Sequence, residues 1–411
     1  MHKTNRAFTI SASVLFVLLG ALPVRGQTYR VLYSFPSGTG GAYPSGVISD
    51  PVGNLYGAVS QGGDLEGCEG YGCGMVFKLE TDGVLTVLHS FTGGLDGAVP
   101  VGVTLDSEGN VYGATNGGGS VGDGTVYEVF SGGGESTLYE FLGARQNDGA
   151  RPQGPVTRDS QGNLYGTTLQ GGPSDGCEGF GCGTVFKVDP SGQESVLYRF
   201  TGGLDGAYPT GPLIRDSAGN LYGTTEIGGD LTCSLGGFQG CGVVFKVSPT
   251  GQETVLHAFA GKPDGANPQG GVVPDAYGNF YGTTVEGGNP VCSGGCGTVF
   301  RIDALGNETI LHRFAGGADG ATPYSGLLRN SSGILFGTTY QGGASTECGS
   351  LGCGTIFSLD PAGKETILYT FPSDAGGVWP QSLSRDSAGN IVGTTEFGGD
   401  NWGVVFEFSH K

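Results

Sequence analysis

Few side chains in this sequence have the type and spacing for chemistry. Two glutamates, Glu226 and Glu396, hold equivalent places in different copies of an internal repeat. A pair of carboxylates flanking one bond is what glycoside cleavage requires. Nothing in their spacing brings the two together. His89, His257 and His312 also recur in register, but at a position filled elsewhere by Tyr33, Tyr139, Tyr198 and Tyr369. They read as substitutes for a packing ring, with no metal or catalytic role. Asp96, Asp148, Asp205, Asp264 and Asp319 precede Gly-Ala in successive copies. A carboxylate there is expected to cap its own turn, with an acidic ring that gathers cations as the alternative. No Gly-x-Ser-x-Gly elbow, phosphate loop or HExxH occurs. No cofactor is expected.

The ten cysteines form five local pairs: Cys68/Cys73, Cys177/Cys182, Cys233/Cys241, Cys292/Cys296 and Cys348/Cys353. Each pair holds the same place in its repeat. An even count in an exported chain reads as disulfides, and no pair has the histidine or second pair that zinc would need. Bridges closing such small loops are expected to fix loop shape more than to hold the fold. The second and seventh copies lack the pair, so the scaffold does not depend on it.

The elements that must position these residues are repetitive. Full copies begin at Asp50, Asp106, Asp159, Asp216, Asp275 and Asn330, and a truncated one at Asp386. Each copy offers four short, β-branched and aromatic-rich runs separated by turn clusters, exemplified by 209–213 (A), 220–225 (B), 183–188 (C) and 194–200 (D). Glycine is abundant at 85 residues but has no every-third period, which excludes collagen. Seven four-stranded units predict an all-β fold, a seven-bladed β-propeller forming one domain over 27–411. Tyr29 to Phe35 match strand D, which the last copy lacks. The N-terminal strand therefore completes the C-terminal blade and closes the ring. Recurrent rings on B and C are expected between blades, and Gly46, Gly102, Gly154, Gly211 and Gly270 on A at the crowded hub.

Residues 1–26 read as a signal peptide: His2, Lys3 and Arg6, an apolar run from Ala7 to Leu22, then Val24-Arg25-Gly26 before Gln27. The formal charge is −19, and three units more negative without Lys3, Arg6 and Arg25. So acidic a surface excludes nucleic acid and anionic membranes as partners. After the leader no run is apolar enough to insert in a membrane. The expected address is secreted: extracellular, or periplasmic and cell-surface. A monomer is expected.

The repeats resemble the GloVer tandem-repeat family of exported bacterial proteins. The resemblance is carried by GNLYGTT at 162–168 and 219–225, GCGTVF at 181–186 and 295–300, and the DGAxP stretches. It implies a secreted, β-propeller-like array with no settled activity. Members often carry a C-terminal anchoring segment, and Phe406 to Lys411 do not read as one.

In the expected strand order, the D-to-A and B-to-C connections share one face. That face is where the copies differ, and variable loops on a fixed scaffold are where binding resides. The residue before the strand-A proline varies most: Tyr43, Val99, Arg151, Tyr208, Asn267, Thr322 and Trp379. Tyr43, Arg151, Tyr208, Asn267 and Trp379 are expected to form a ligand-binding cup at the channel mouth, suited to a glycan or peptide. A second variable set ends strand B and includes Tyr340, Glu226 and Glu396. The function expected is a non-enzymatic binding module. A polysaccharide-active hydrolase or lyase using carboxylates of that face, and a structural envelope or matrix protein, stay open beside it.

Overall fold

The computed structural model describes residues 26–174, 176–345, 347–372 and 376–409. The expected leader falls outside these residues, apart from Gly26. The chain forms seven blades in a ring, each an antiparallel sheet ordered A-B-C-D from hub to rim, with a short parallel pair added in blade 5 between Glu286–Gly288 and Gly295–Ile302. Blade 4 is typical: Ala207–Arg215, Leu221–Ile227, Val243–Val247 and Glu253–Ala258. Strand A is interrupted in blades 3, 5 and 6, where Gly149–Pro152 and Thr157–Arg158, Gly265–Ala266 and Val272–Pro274, and a bridge from Ala321 to Gln341 and Leu328–Arg329, share the role.

Closure is as the sequence predicts. Thr28–Ser34 pairs antiparallel with Val404–Ser409, aligning Tyr29 with Phe408 and Val31 with Phe406. This pair also carries the bulge found in every C–D pair, with an extra leucine on strand D: Leu32 here, Leu197 in blade 3, Leu256 in blade 4. The N-terminal strand thus has the detailed geometry of the other six outer strands.

Blades are held together by rings. Phe200, at the end of strand D in blade 3, meets Phe245 on strand C of blade 4 edge to face, with centroids 5.1 Å apart. The same pair recurs at all seven boundaries, from Phe91–Tyr127 at 5.0 Å to Phe371–Phe406 at 5.6 Å. Phe35 against Phe77, at 5.4 Å, closes the circle. All these rings are buried. At about 25 cal/mol per Å² of apolar surface, ring burial is a leading source of stability.

Strand B explains its own motif. Glycine follows the tyrosine because a Cβ on Gly223 would lie 2.7 Å from Phe245 Cζ. The tyrosine runs to the A–B turn, where Asp216 Oδ1 accepts from the Ala218 and Asn220 amides and Oδ2 accepts from Tyr222 Oη at 3.0 Å. Burial works to raise the Asp216 carboxyl, but these hydrogen bonds outweigh it and hold it below the usual range. The turn is satisfied internally, as an Asx motif should be.

At the hub, backbones approach closely. A Cβ on Gly154 would sit 2.7 Å from the Gly211 carbonyl, and one on Gly211 2.5 Å from that of Gln269.

All five cysteine pairs are disulfides, with Cα–Cα distances from 5.0 Å to 5.7 Å, and no cysteine is free. Beyond shaping loops, the bridges reach into the core. The second cysteine of every bridge is buried: Cys73, Cys182, Cys241, Cys296 and Cys353. Each packs in the apolar layer between its own blade and the next: Cys73 with Phe91 and Tyr127, Cys241 with Phe259 and Phe300, Cys296 with Phe314 and Phe357. The first cysteines, Cys68, Cys177, Cys233, Cys292 and Cys348, lie at the edge of the same clusters, partly exposed. The reason is position. The second cysteine immediately precedes the glycine that opens strand C, so its side chain enters the sheet interface, while the first stays in the loop. Each bridge therefore staples the variable B–C loop to the core, and its inner sulfur behaves as a small buried apolar group.

Candidate functional site

The variable position before the strand-A proline has a feature the sequence did not disclose. All seven residues there take positive φ, between 52° and 59°. None is glycine, and the left-handed region costs about 1 kcal/mol or more for such residues. The surrounding structure holds each in place, chiefly through the carbonyl of a buried cysteine in the preceding blade. The Val99 amide donates to the Cys73 carbonyl at 2.8 Å, Tyr208 to Cys182 at 2.9 Å and Asn267 to Cys241 at 2.9 Å. Thr322 donates to Cys296 at 2.9 Å and Trp379 to Cys353 at 3.0 Å. The following proline packs on the preceding blade as well: Pro209 Cδ leaves no room for a Cβ on Gly183. Each disulfide thus steadies the carbonyl that fixes the next blade's variable residue, a role the cysteine spacing did not reveal. Tyr43 and Arg151 use Trp402 and Asp123 instead, next to the two blades without a pair.

The central channel, a cavity of about 500 Å³, is lined from all seven inner strands. Its walls include Gln153, Thr210, Gln269, Tyr324 and Gln381, which follow the proline. Sequence reasoning chose the residue before it. Of the five expected cup residues, Tyr43 lines a shallower groove of about 620 Å³ beside the channel, with Ser60, Gln153, Gln381, Glu396 and Phe397. Asn267 Oδ1 accepts from Gln269 Nε2 at 3.1 Å and so touches the channel wall indirectly. Arg151 is exposed beside Asp123. Tyr208 stands edge-on to Phe238 at 6.2 Å. Trp379 stacks on Tyr340 at 5.3 Å and 19°.

The richest part of the face spans blades 6, 7 and 1. Tyr324 contacts Tyr340, Tyr340 stacks on Trp379, Trp379 meets Phe397, and Phe397 meets Tyr43. Beside this belt, Glu396 Oε2 accepts from Tyr340 Oη at 2.8 Å and from Gln381 Nε2 at 2.7 Å. The Tyr340 phenol is pushed up by burial and by that carboxylate. Glu226 also lines the channel. Burial raises its carboxyl to about 6. Burial, then Glu286, Glu226 and Glu396, raise the Tyr324 phenol. Glu226 lines the channel wall that Tyr324 also lines, while Glu396 lines the groove beside it, an arrangement their places in the sequence did not announce. Tyr324 and Gln381 could have been found by continuing the period-two pattern past the proline.

The sequence matches the Gloeobacter/Verrucomicrobia repeat family over residues 21–234 and 230–411. Curated proteins give no match to it. Among solved structures, the WD40 β-propeller domain of Doa1 superposes with a TM-score of 0.56 at 12% identity, covering 93% of this chain and 97% of that one. The extracellular domain of a hybrid two component system of B. thetaiotaomicron gives 0.56 at 10% identity. That match covers 92% of this chain but only 39% of the other. At these identities the likeness concerns the fold. No helix among the described residues is long and apolar enough to cross a membrane.

Proposed function

Because the chain belongs to the Gloeobacter/Verrucomicrobia repeat family, with its repeats arranged as a seven-bladed ring, we propose that it is an exported binding module that holds a glycan on its loop-bearing face. The five disulfides suit an oxidising compartment outside the cytoplasm. The ligand lies against blades 6, 7 and 1, with Trp379 and Tyr43 among its contacts. Tyr208, Asn267 and Arg151 extend the surface around the mouth for longer chains.

One observation carries this reading: the aromatic belt from Tyr324 to Tyr43 runs beside Glu396 and Gln381 at the edge of an open channel. Sugar rings offer an apolar C–H face and a rim of hydroxyls. Aromatic rings suit the first, and a carboxylate and amide the second. The left-handed residues present these groups on a pre-formed framework, which lowers the ordering cost of binding.

A second reading, hydrolysis of the bound glycan, is favoured by Glu226. A carboxyl raised to about 6 in a channel wall has the character of a general acid, with Glu396 as the partner carboxylate.

The test is a glycan array followed by calorimetry on the hits. Trp379→Ala is expected to weaken binding by about tenfold or more, as loss of a ring contact in a binding site does, and Tyr340→Ala similarly. Equal affinity in both variants would remove the site. Glu226→Gln separates the two readings: binding retained and product formation lost means hydrolysis, whereas no product from the unaltered protein means binding alone. A protein that captures no glycan but captures peptides, or only itself, would replace this reading with peptide recognition or a structural role.

A further inference from the structure

The outer rim holds a second constellation. In each of blades 1 to 5, the Asp of the D-to-A loop accepts an amide just past strand D, as Ala260 donates to Asp264 Oδ2 at 2.9 Å. In blades 2 and 3 a strand-D tyrosine completes the arrangement: Tyr139 Oη donates to Asp148 at 2.8 Å and Tyr198 Oη to Asp205 at 2.9 Å. In blades 4 and 5 the tyrosine is replaced by His257 and His312, and the next blade supplies a glutamate. His257 Nε2 lies 3.6 Å from Asp264 Oδ2 and 3.8 Å from Glu308 Oε2. His312 Nε2 lies 3.3 Å from Asp319 and 3.8 Å from Glu365 Oε2. In each set the ligand atoms lie within 4.8 Å of one another.

We propose that His257–Asp264–Glu308 and His312–Asp319–Glu365 are two equivalent sites for a divalent transition-metal ion, zinc in the first instance, each bridging two blades. Tetrahedral zinc with bonds of about 2.0–2.2 Å sets its ligands about 3.3–3.6 Å apart. The distances from each imidazole to its two carboxylates match that edge or exceed it by a few tenths of an ångström. One imidazole and two carboxylates make a three-ligand set, to which a fourth ligand such as water would complete the tetrahedron.

A second observation points the same way. His257 Nε2 is inaccessible to solvent and has no hydrogen-bond partner. An unpaired buried ring nitrogen is costly, and a cation placed between it and the two carboxylates satisfies it.

The other blades act as internal controls. A phenol bonded to the aspartate replaces the imidazole in blades 2 and 3. In blade 1, His89 lies 3.3 Å from Asp96, but Glu135 Oε1 accepts from Thr137 Oγ1 at 3.0 Å and is drawn away. The corresponding residues Ile310 and Ile367 have no hydroxyl to offer Glu308 or Glu365. The expected stoichiometry is therefore two ions per chain.

The experiment is calorimetric titration of the chelator-treated full chain with zinc chloride, with manganese and calcium chlorides in parallel. Tyrosine is native at this position in blades 2 and 3, so His257→Tyr and His312→Tyr should preserve the fold, checked by circular dichroism and melting temperature. The expected result is two zinc ions bound by the unaltered chain, one by either single variant and none by the double variant, with zinc raising the melting temperature of the unaltered chain more than that of either single variant and leaving the double variant unmoved. Absence of zinc binding, or full binding by a folded double variant, would overturn the proposal. Two calcium ions bound in preference to zinc would overturn the assignment of the metal class.

Discussion

Six of the seven strand-C rings that join the blades are phenylalanine, and the seventh is Tyr127. Its ring is fully buried, and its hydroxyl has no partner among the described residues. Burial raises the phenol far above its ordinary value. Tyr127→Phe removes an unpaired buried hydroxyl, whose desolvation costs about 1–3 kcal/mol. The space vacated is on the order of 10 Å³, which at about 24 cal/mol per Å³ returns only a few tenths of a kcal/mol. The expected gain is about 1–2.5 kcal/mol, the desolvation term less the small cavity term. The edge-to-face contact with Phe91 is untouched, because it involves the ring alone. The assay is equilibrium denaturation in guanidinium chloride, where the midpoint should rise at unchanged slope. The reverse exchange one blade on, Phe186→Tyr, should lower the midpoint by a similar amount. If Tyr127→Phe lowers or leaves the midpoint, the hydroxyl is satisfied in solution and the reasoning fails.

Other consequences concern the turns, the rim and the bridges. Gly223→Ala places a methyl 2.7 Å from Phe245 Cζ and 2.8 Å from Leu213 Cδ2. It should cost about 1–3 kcal/mol by overpacking, read as a lower melting temperature. Glu194 and Glu253 are each raised to about 7, by burial first and then by Asp148 and Asp205 respectively. Each holds its proton to higher pH when folded than when unfolded, so its contribution is complete below about 4.5 and is lost as pH rises through 7. The melting temperature of Glu194→Gln/Glu253→Gln should therefore fall less than that of the unaltered protein between pH 5 and 8. Cys177→Ala/Cys182→Ala, with alanine chosen because Cys182 is buried, should cost about 2 kcal/mol by the loop-entropy estimate while leaving the far-ultraviolet circular dichroism intact; loss of that spectrum would mean the bridge is essential to the blade.

Repetition made the blades, the turns, the closing strand and the cysteine pairs legible. Seven near-copies leave little freedom in strand order, and an orphan outer strand at one end has an obvious partner at the other. The sequence displayed the glycine after the strand-B tyrosine but not its reason, because the Phe245 ring above Gly223 arrives from another strand. The bulge leucines looked like ordinary strand positions. The pairing of the cysteines could be read from their spacing, but the burial of Cys73, Cys241 and Cys296 could not, because the layer that covers them belongs partly to the next blade. The left-handed residues before proline were visible only as variable, since their φ is imposed by carbonyls of the preceding blade. Ring curvature, which no linear spacing encodes, set Glu226 in the channel wall with Tyr324, put Glu396 in the groove beside it and aimed the residue after the proline into the channel. The same curvature gave His257 and His312 glutamates from neighbouring blades, which a reading one repeat at a time could not supply.

The most direct trial of the binding-face account is a crystal structure of the protein soaked with the best oligosaccharide from the array. The account predicts a sugar ring against Trp379 and Tyr340, with hydroxyls on Glu396 and Gln381. A sugar bound among the Asx turns of the opposite face, with the aromatic belt empty, would contradict it.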